Sequence, residues 1–227
     1  MIVFDPTEHP PAKAQGMLSQ VVAPRPIAMI STASEDGTVN VAPFSYYMPV
    51  TGRPLLLAVT MGARRESDGR PKHTWVNTRR TGEFVVNVTT DALREQIELA
   101  AMEFPDGVSE LDYLGWTAIA SQRVAAPSIA ESPVHLECRV HRVVDLGDPE
   151  VAGSGVHLVV AEVVCIVLDE SVCTPDLRVD QAKLAPVGRL GFPWFSRVGP
   201  DSMFALERIP YGEFARTGRL PGVAPDA

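Results

Sequence analysis

The sequence predicts a mainly β fold with short peripheral helices, and three observations predict it. Seven stretches read as strands: 25–32, 38–43, 54–60, 83–89, 117–124, 134–144 and 156–168. The 20 prolines and 17 glycines are scattered along the chain, as short strands joined by turns require. Helical periodicity is rare and brief, best at 91–101, where Asp91 can cap and Leu93, Ile97 and Ala101 share a stripe. Many antiparallel strands with few helices point to a barrel closed on itself. Without a repeat or low-complexity linker, a single domain over 1–227 is expected. Its core would span about 15–195, and an extension over 196–227 would pack on the surface or on another subunit.

Taken in order, the first strand ends an apolar run, Ile27 to Ile30, in two hydroxyls, Ser31 and Thr32. Ser34-Glu35-Asp36-Gly37 then reverses the chain, since Gly accepts positive φ without steric cost. The second strand reaches Ala42-Pro43, and Pro43 interrupts the ladder because it has no N–H. Two readings fit this hairpin: an ordinary one whose Pro43 marks a sheet edge, or a ribbon offering free backbone groups to a flat, polar-edged ligand. Residues 62–77 form the densest positive cluster, with Arg64, Arg65, Arg70 and Lys72. This Gly/Pro-containing bend runs into a short helix that Thr74 or a neighbour can cap and Gly82 can stop. Cations beside a helix N-terminus fit a phosphate; a solvated basic loop is the alternative.

In 134–144, Val134, Leu136, Cys138 and Val140 alternate with His135, Glu137, Arg139 and His141, which predicts an apolar and a polar face. The run 156–168 is nearly all apolar, so both its faces should be covered, and 145–155 suits a long hairpin connection.

A net charge of −8 argues against nucleic acid or an anionic membrane as partner. Cys138, Cys165 and Cys173 show no metal-ligand spacing and fit buried thiols in a reducing compartment. His135, His141 and His157 lack a cysteine in register, so no metal site is expected. The N-terminus lacks a signal-peptide pattern and no apolar run approaches the ~20 residues of a membrane helix, so a soluble, cytoplasmic chain is expected. Ser45 has no G-x-S-x-G context, and G-x-G-x-x-G is absent, so any nicotinamide must bind without a Rossmann unit.

Pro24-Arg25-Pro26-Ile27, Ser31-Thr32, Asn40-x-Ala42-Pro43-Phe44-Ser45, Lys72-x-Thr74, Asn77, Thr81 to Asn87 and Pro186 to Gly191 occur in an order that resembles the flavin reductase-like family. That resemblance implies a six-stranded FMN-binding split barrel, a homodimer, and NADH or NADPH as electron donor. It also implies a flavin-dependent oxygenase or other electron acceptor downstream, or alternatively a carrier that keeps its FMN. Carried over by position, Arg25, Ser31 and Thr32 would lie beside the flavin, and Asn40, Ala42, Pro43, Phe44 and Ser45 along its ring edge. Arg64, Ser67, Lys72 and Thr74 would surround the phosphate portion, and Asn77 would also belong to the cofactor site. Arg189 would stand near the site or else be a surface arginine. His73 departs from the Lys-Asp-Thr of similar proteins, which leaves the helix cap open. Hydride transfer demands no side-chain acid or base, so no catalytic residue is named.

Overall fold

A computed structural model describes residues 1–62, 65, 68–147 and 155–222. A helix, α1 (Pro11–Val21), precedes β1 (Arg25–Pro26), β2 (Ala28–Ala33), β3 (Val39–Phe44), β4 (Tyr47–Gly52) and β5 (Leu55–Gly62). Helix α2 (His73–Thr81) leads to β6 (Glu83–Val88), then α3 (Ile97–Ala100), α4 (Leu111–Leu114), β7 (Ala118–Ile119) and β8 (Ser128–Ile129). The long strands β9 (Val134–Asp145) and β10 (Val156–Leu168) follow, then α5 (Gln181–Leu184), β11 (Val187–Arg189), β12 (Phe195–Arg197) and α6 (Tyr211–Thr217).

The main sheet is antiparallel, in the order β3-β2-β6-β9-β10-β5-β4. It has seven strands, because β4 adds to those the sequence announced, and it stays open, with β3 and β4 as its two edges. One of its faces is covered by a core cluster that includes Ile30, Val59, Met61, Phe84, Val86, Cys138 and Val159. A second cluster, built on Met29, Val41, Leu93, Ile97 and Trp116, packs the helices against the other side of β2 and β3. β1, β11 and β12 form a small separate sheet.

The β2–β3 turn forms as the sequence predicts. Gly37 takes φ 86°, and Asp36 accepts the Thr38 N–H at 3.0 Å while the Ser34 hydroxyl donates to its carboxylate. Gly82, at φ 69°, ends α2 and donates to the Thr78 carbonyl.

Five expectations need correction. Lys72, not Thr74, stands at the N-cap of α2 and makes no side-chain cap; Thr74 is inside the helix and buried. The segment 91–101 opens as a tight 3-10 turn over Asp91–Gln96, and Asp91 pairs with Arg94 instead of capping. Its buried stripe is therefore Leu93, Ile97 and Ala100, because three-residue turns advance the stripe differently from 3.6-residue ones. Of 117–124 only Ala118–Ile119 is strand, since the N–H groups of Gln122 and Arg123 turn to the Glu137 carboxylate at 2.6 and 2.5 Å. The polar face of β9 is not solvated at its start: His135 and Glu137 are buried, His135 against Asn87 and Glu137 against the N–H groups of the same segment. β10 is not covered throughout, because Ile166 remains exposed in the single chain. Most of the predicted 145–155 connection lies outside the described residues. No helix among the described residues is long and apolar enough to cross a membrane.

Candidate functional site

The edge strand β3 organises the site. Its outward backbone groups are used at one end only: Val39 O accepts the Ser109 hydroxyl at 2.7 Å, and Val41 N–H donates to Glu110 Oε2 at 2.9 Å. The next outward residue is Pro43, which has no donor. Beyond that point Ala42, Pro43, Phe44 and Ser45 line an open cleft of about 560 Å³, together with Arg25, Tyr46, Gly62, Lys72, Arg189, Phe192 and one face of α1. An adjoining recess of about 50 Å³ shares Ala42 and Lys72 with the cleft and adds Asn40, Arg65, His73, Thr74 and Glu110. Strand edge and basic bend, about thirty residues apart in sequence, thus meet at one surface.

Within the recess, Asn40 is best placed with its amide oxygen accepting the Thr74 hydroxyl at 2.8 Å and its nitrogen donating to Glu110 Oε1 at 3.2 Å. The reverse orientation would point the amide oxygen at a carboxylate. Burial pushes the Glu110 carboxyl above the usual range, and its hydrogen bond from Val41 partly offsets this. Asn77 donates to the Thr32 hydroxyl at 3.0 Å and ties α2 to β2.

The cations divide into two groups. Arg65, Arg70 and His73 converge on Asp106, with Arg65 at 3.2 Å and His73 at 2.8 Å. Hydrogen bonds from His73 and Arg70 hold the Asp106 carboxyl below its ordinary range. Lys72 has no ion-pair partner among the described residues, although it lines both cleft and recess. Arg25 and Arg65 are buried; the Nε of Arg25 makes no hydrogen bond among the described residues, and that of Arg65 faces Asp68 Oδ1 at 3.6 Å. An unpaired lysine beside a strand edge suits a ligand that carries acceptors or negative charge.

Most of the sequence-named residues gather here: Arg25, Asn40, Ala42, Pro43, Phe44, Ser45, Lys72, Thr74 and Arg189. Arg25 is largely consumed inside the fold, donating to Ser19 O, Val22 O (2.7 Å) and Leu190 O (3.0 Å) while its guanidinium lies over Tyr46. Arg189 pairs with Glu98 and lies over the Phe195 ring at 4.2 Å, so it is not a free surface arginine. Asn77 reaches only a neighbouring groove with Ser34 and Asp106. Ser31 is fully buried, donating to Pro127 O and accepting from Asn87, on the side of β2 away from Asn77. Thr32 is equally buried. Arg64 and Ser67 lie outside the described residues.

Sequence reasoning missed Glu110, α1 and Phe192. The run Pro10-Pro11-Ala12-Lys13-Ala14-Gln15 carried a usable signal for α1, with proline at the first helical position. Nothing in the sequence tied Glu110 to Val41.

An open antiparallel sheet with a cleft along one edge strand defines the split-barrel class of fold. Residues 21–183 match the Flavin reductase like domain, and the chain belongs to that family. It is 36% identical over 192 residues to an uncharacterised protein of Halalkalibacterium halodurans, covering 85% of this chain and 89% of that one. Among solved structures it is similar to nitrilotriacetate monooxygenase component B from Bacillus cereus, with TM-score 0.81, 27% identity, and 88% and 96% of the two chains covered. A split-barrel-domain protein from Shewanella frigidimarina shares the fold, with TM-score 0.72, 18% identity, and 90% and 95% coverage.

Proposed function

We propose that the chain is an FMN-binding flavoprotein acting as an NAD(P)H-dependent flavin reductase. The observation that carries this reading is the junction of the β3 edge with Lys72, within a chain of the flavin reductase-like family. The cleft lined by Ala42 to Ser45 suits a flat ring, and the recess with Lys72 and Thr74 suits the phosphate. Bound flavin supplies the hydride acceptor and passes electrons onward. The chain's own residues bind and orient: backbone groups of β3 meet the ring edge, and Lys72 and the α2 N-terminus meet the anion. A similar protein is a monooxygenase component, which supports pairing with a separate oxygenase. Exposed Met48, Val50, Val144 and Ile166 on the sheet support a homodimer.

Visible spectra with FMN, before and after anaerobic NADH or NADPH, test the reading. We expect a flavin band that bleaches with nicotinamide, and sustained nicotinamide oxidation when excess FMN is added under air. Bleaching of bound flavin without turnover of added flavin would instead define an electron carrier. Absence of any flavin binding would overturn the proposal.

A further inference from the structure

The recess holds one group that the flavin reading does not use: a carboxylate at the wall of a pocket otherwise suited to an anion. Glu110 is only 3% exposed. It enters from a loop sixty-nine residues beyond Val41, and both its oxygens work on β3. Oε2 takes the Val41 N–H at 2.9 Å, while Oε1 takes the Asn40 amide at 3.2 Å, which turns the Asn40 oxygen to the Thr74 hydroxyl. A chain of contacts therefore runs from Glu110 through Asn40 to the first turn of α2. Ser109, its neighbour, does a related task without facing the recess, donating to Val39 O at 2.7 Å.

The charges around the recess give this placement a consequence. Arg65, Lys72 and His73 line it, with Glu103 and Glu110 opposing them. Asp106 bonds His73 and Arg65 from outside the recess. An ionised Glu110 repels an incoming anion, whereas a protonated one keeps an acceptor for Val41 without the charge. Burial already favours the protonated form.

We propose, on the reading that this recess takes the flavin's phosphate, that Glu110 is a positioning residue. It holds Asn40, Thr74 and the β3 edge in register, and its ionisation state sets how well the recess accepts an anionic group. Entry of the anion draws a proton from solvent onto Glu110, so binding and protonation are linked.

The test measures the dissociation constants of riboflavin and of its sulfate ester, whose charge does not change across the range, from about pH 8 to about pH 5.5. In the wild-type chain the sulfate ester should gain at least about threefold over riboflavin as the pH falls. Glu110→Gln keeps an acceptor for Val41 and should flatten that gain. Ser109→Ala, which removes the neighbouring edge contact, should leave it intact. His73 and Glu103 also line the recess, and His73→Gln provides a second variant that leaves the Glu110 contacts with Val41 and Asn40 in place. The gain should persist in it. A gain that survives Glu110→Gln, or that vanishes in His73→Gln, overturns the role of Glu110. Binding of neither riboflavin nor the ester at any pH overturns the flavin reading itself.

Discussion

Two buried polar networks flank β2, and they differ in completeness. Behind the strand, Asn87 donates to Met29 O and Ser31, and its oxygen accepts the Ile129 N–H at 2.8 Å and faces His135 Nδ1 at 3.0 Å. Glu137, fully buried, takes two backbone N–H groups. At the other network Asn40, Thr74 and Glu110 are bonded, but Lys72 has no ion-pair partner among the described residues. Closed networks specify the fold, because a missing partner inside them would cost desolvation without return. A network left open on a cleft keeps donors for something that arrives later. Completeness, more than residue type, separates the cluster behind the strand from the one at the cleft.

Breaking the closed network should cost most. Glu137→Leu removes the buried acceptor of two backbone N–H groups and should destabilise the chain by about 1–3 kcal/mol in denaturant titration, with flavin affinity of the folded protein preserved. Lys72→Ala sharpens the contrast from the other side. It should leave stability nearly unchanged but weaken FMN binding by about 1.5–3 kcal/mol, with little effect on riboflavin, read by flavin fluorescence quenching. Equal losses for both flavins would show that Lys72 does not meet the phosphate.

Ser31→Ala separates the two networks at a single residue. We expect a stability loss of about 1 kcal/mol in urea and unchanged FMN affinity, because both hydroxyl contacts lie behind the strand. Weakened FMN binding with normal stability would move Ser31 to the cleft. The smallest effect belongs to the β2–β3 turn. Bonds from Ser34 and Thr38 bring the Asp36 carboxyl down to about 2. A depressed carboxyl stabilises fully above its unfolded value and loses that contribution as pH falls through the folded one. Asp36→Asn should therefore flatten the acid side of the stability profile slightly, measured by thermal melts from about pH 5 to about pH 2.

Local chemistry was legible in the sequence. Asp36-Gly37 announced its turn, Gly82 announced the end of α2, and the alternation of 134–144 announced β9. Ala42 to Ser45 and Lys72 drew notice because small residues, a proline and clustered cations each have a local physical meaning, and the structure brings them to one cleft. Direction across the strand was harder to read. Ser31 and Thr32 are adjacent hydroxyls, yet a strand points them to opposite faces, one to Asn87 and the other to Asn77. The buried side of β9 was hidden for a similar reason: only the three-dimensional path of 120–127 brings backbone donors to Glu137. Glu110 depended on a contact across sixty-nine residues, which no local pattern encodes.

The way β3 is finished has a further consequence for the behaviour of the chain in solution. An unpaired strand normally invites a foreign strand to zip alongside, and so seeds aggregation. Here two side chains already occupy the first docking points, and the proline removes the next. Six residues thus combine a guarded edge with an accessible border.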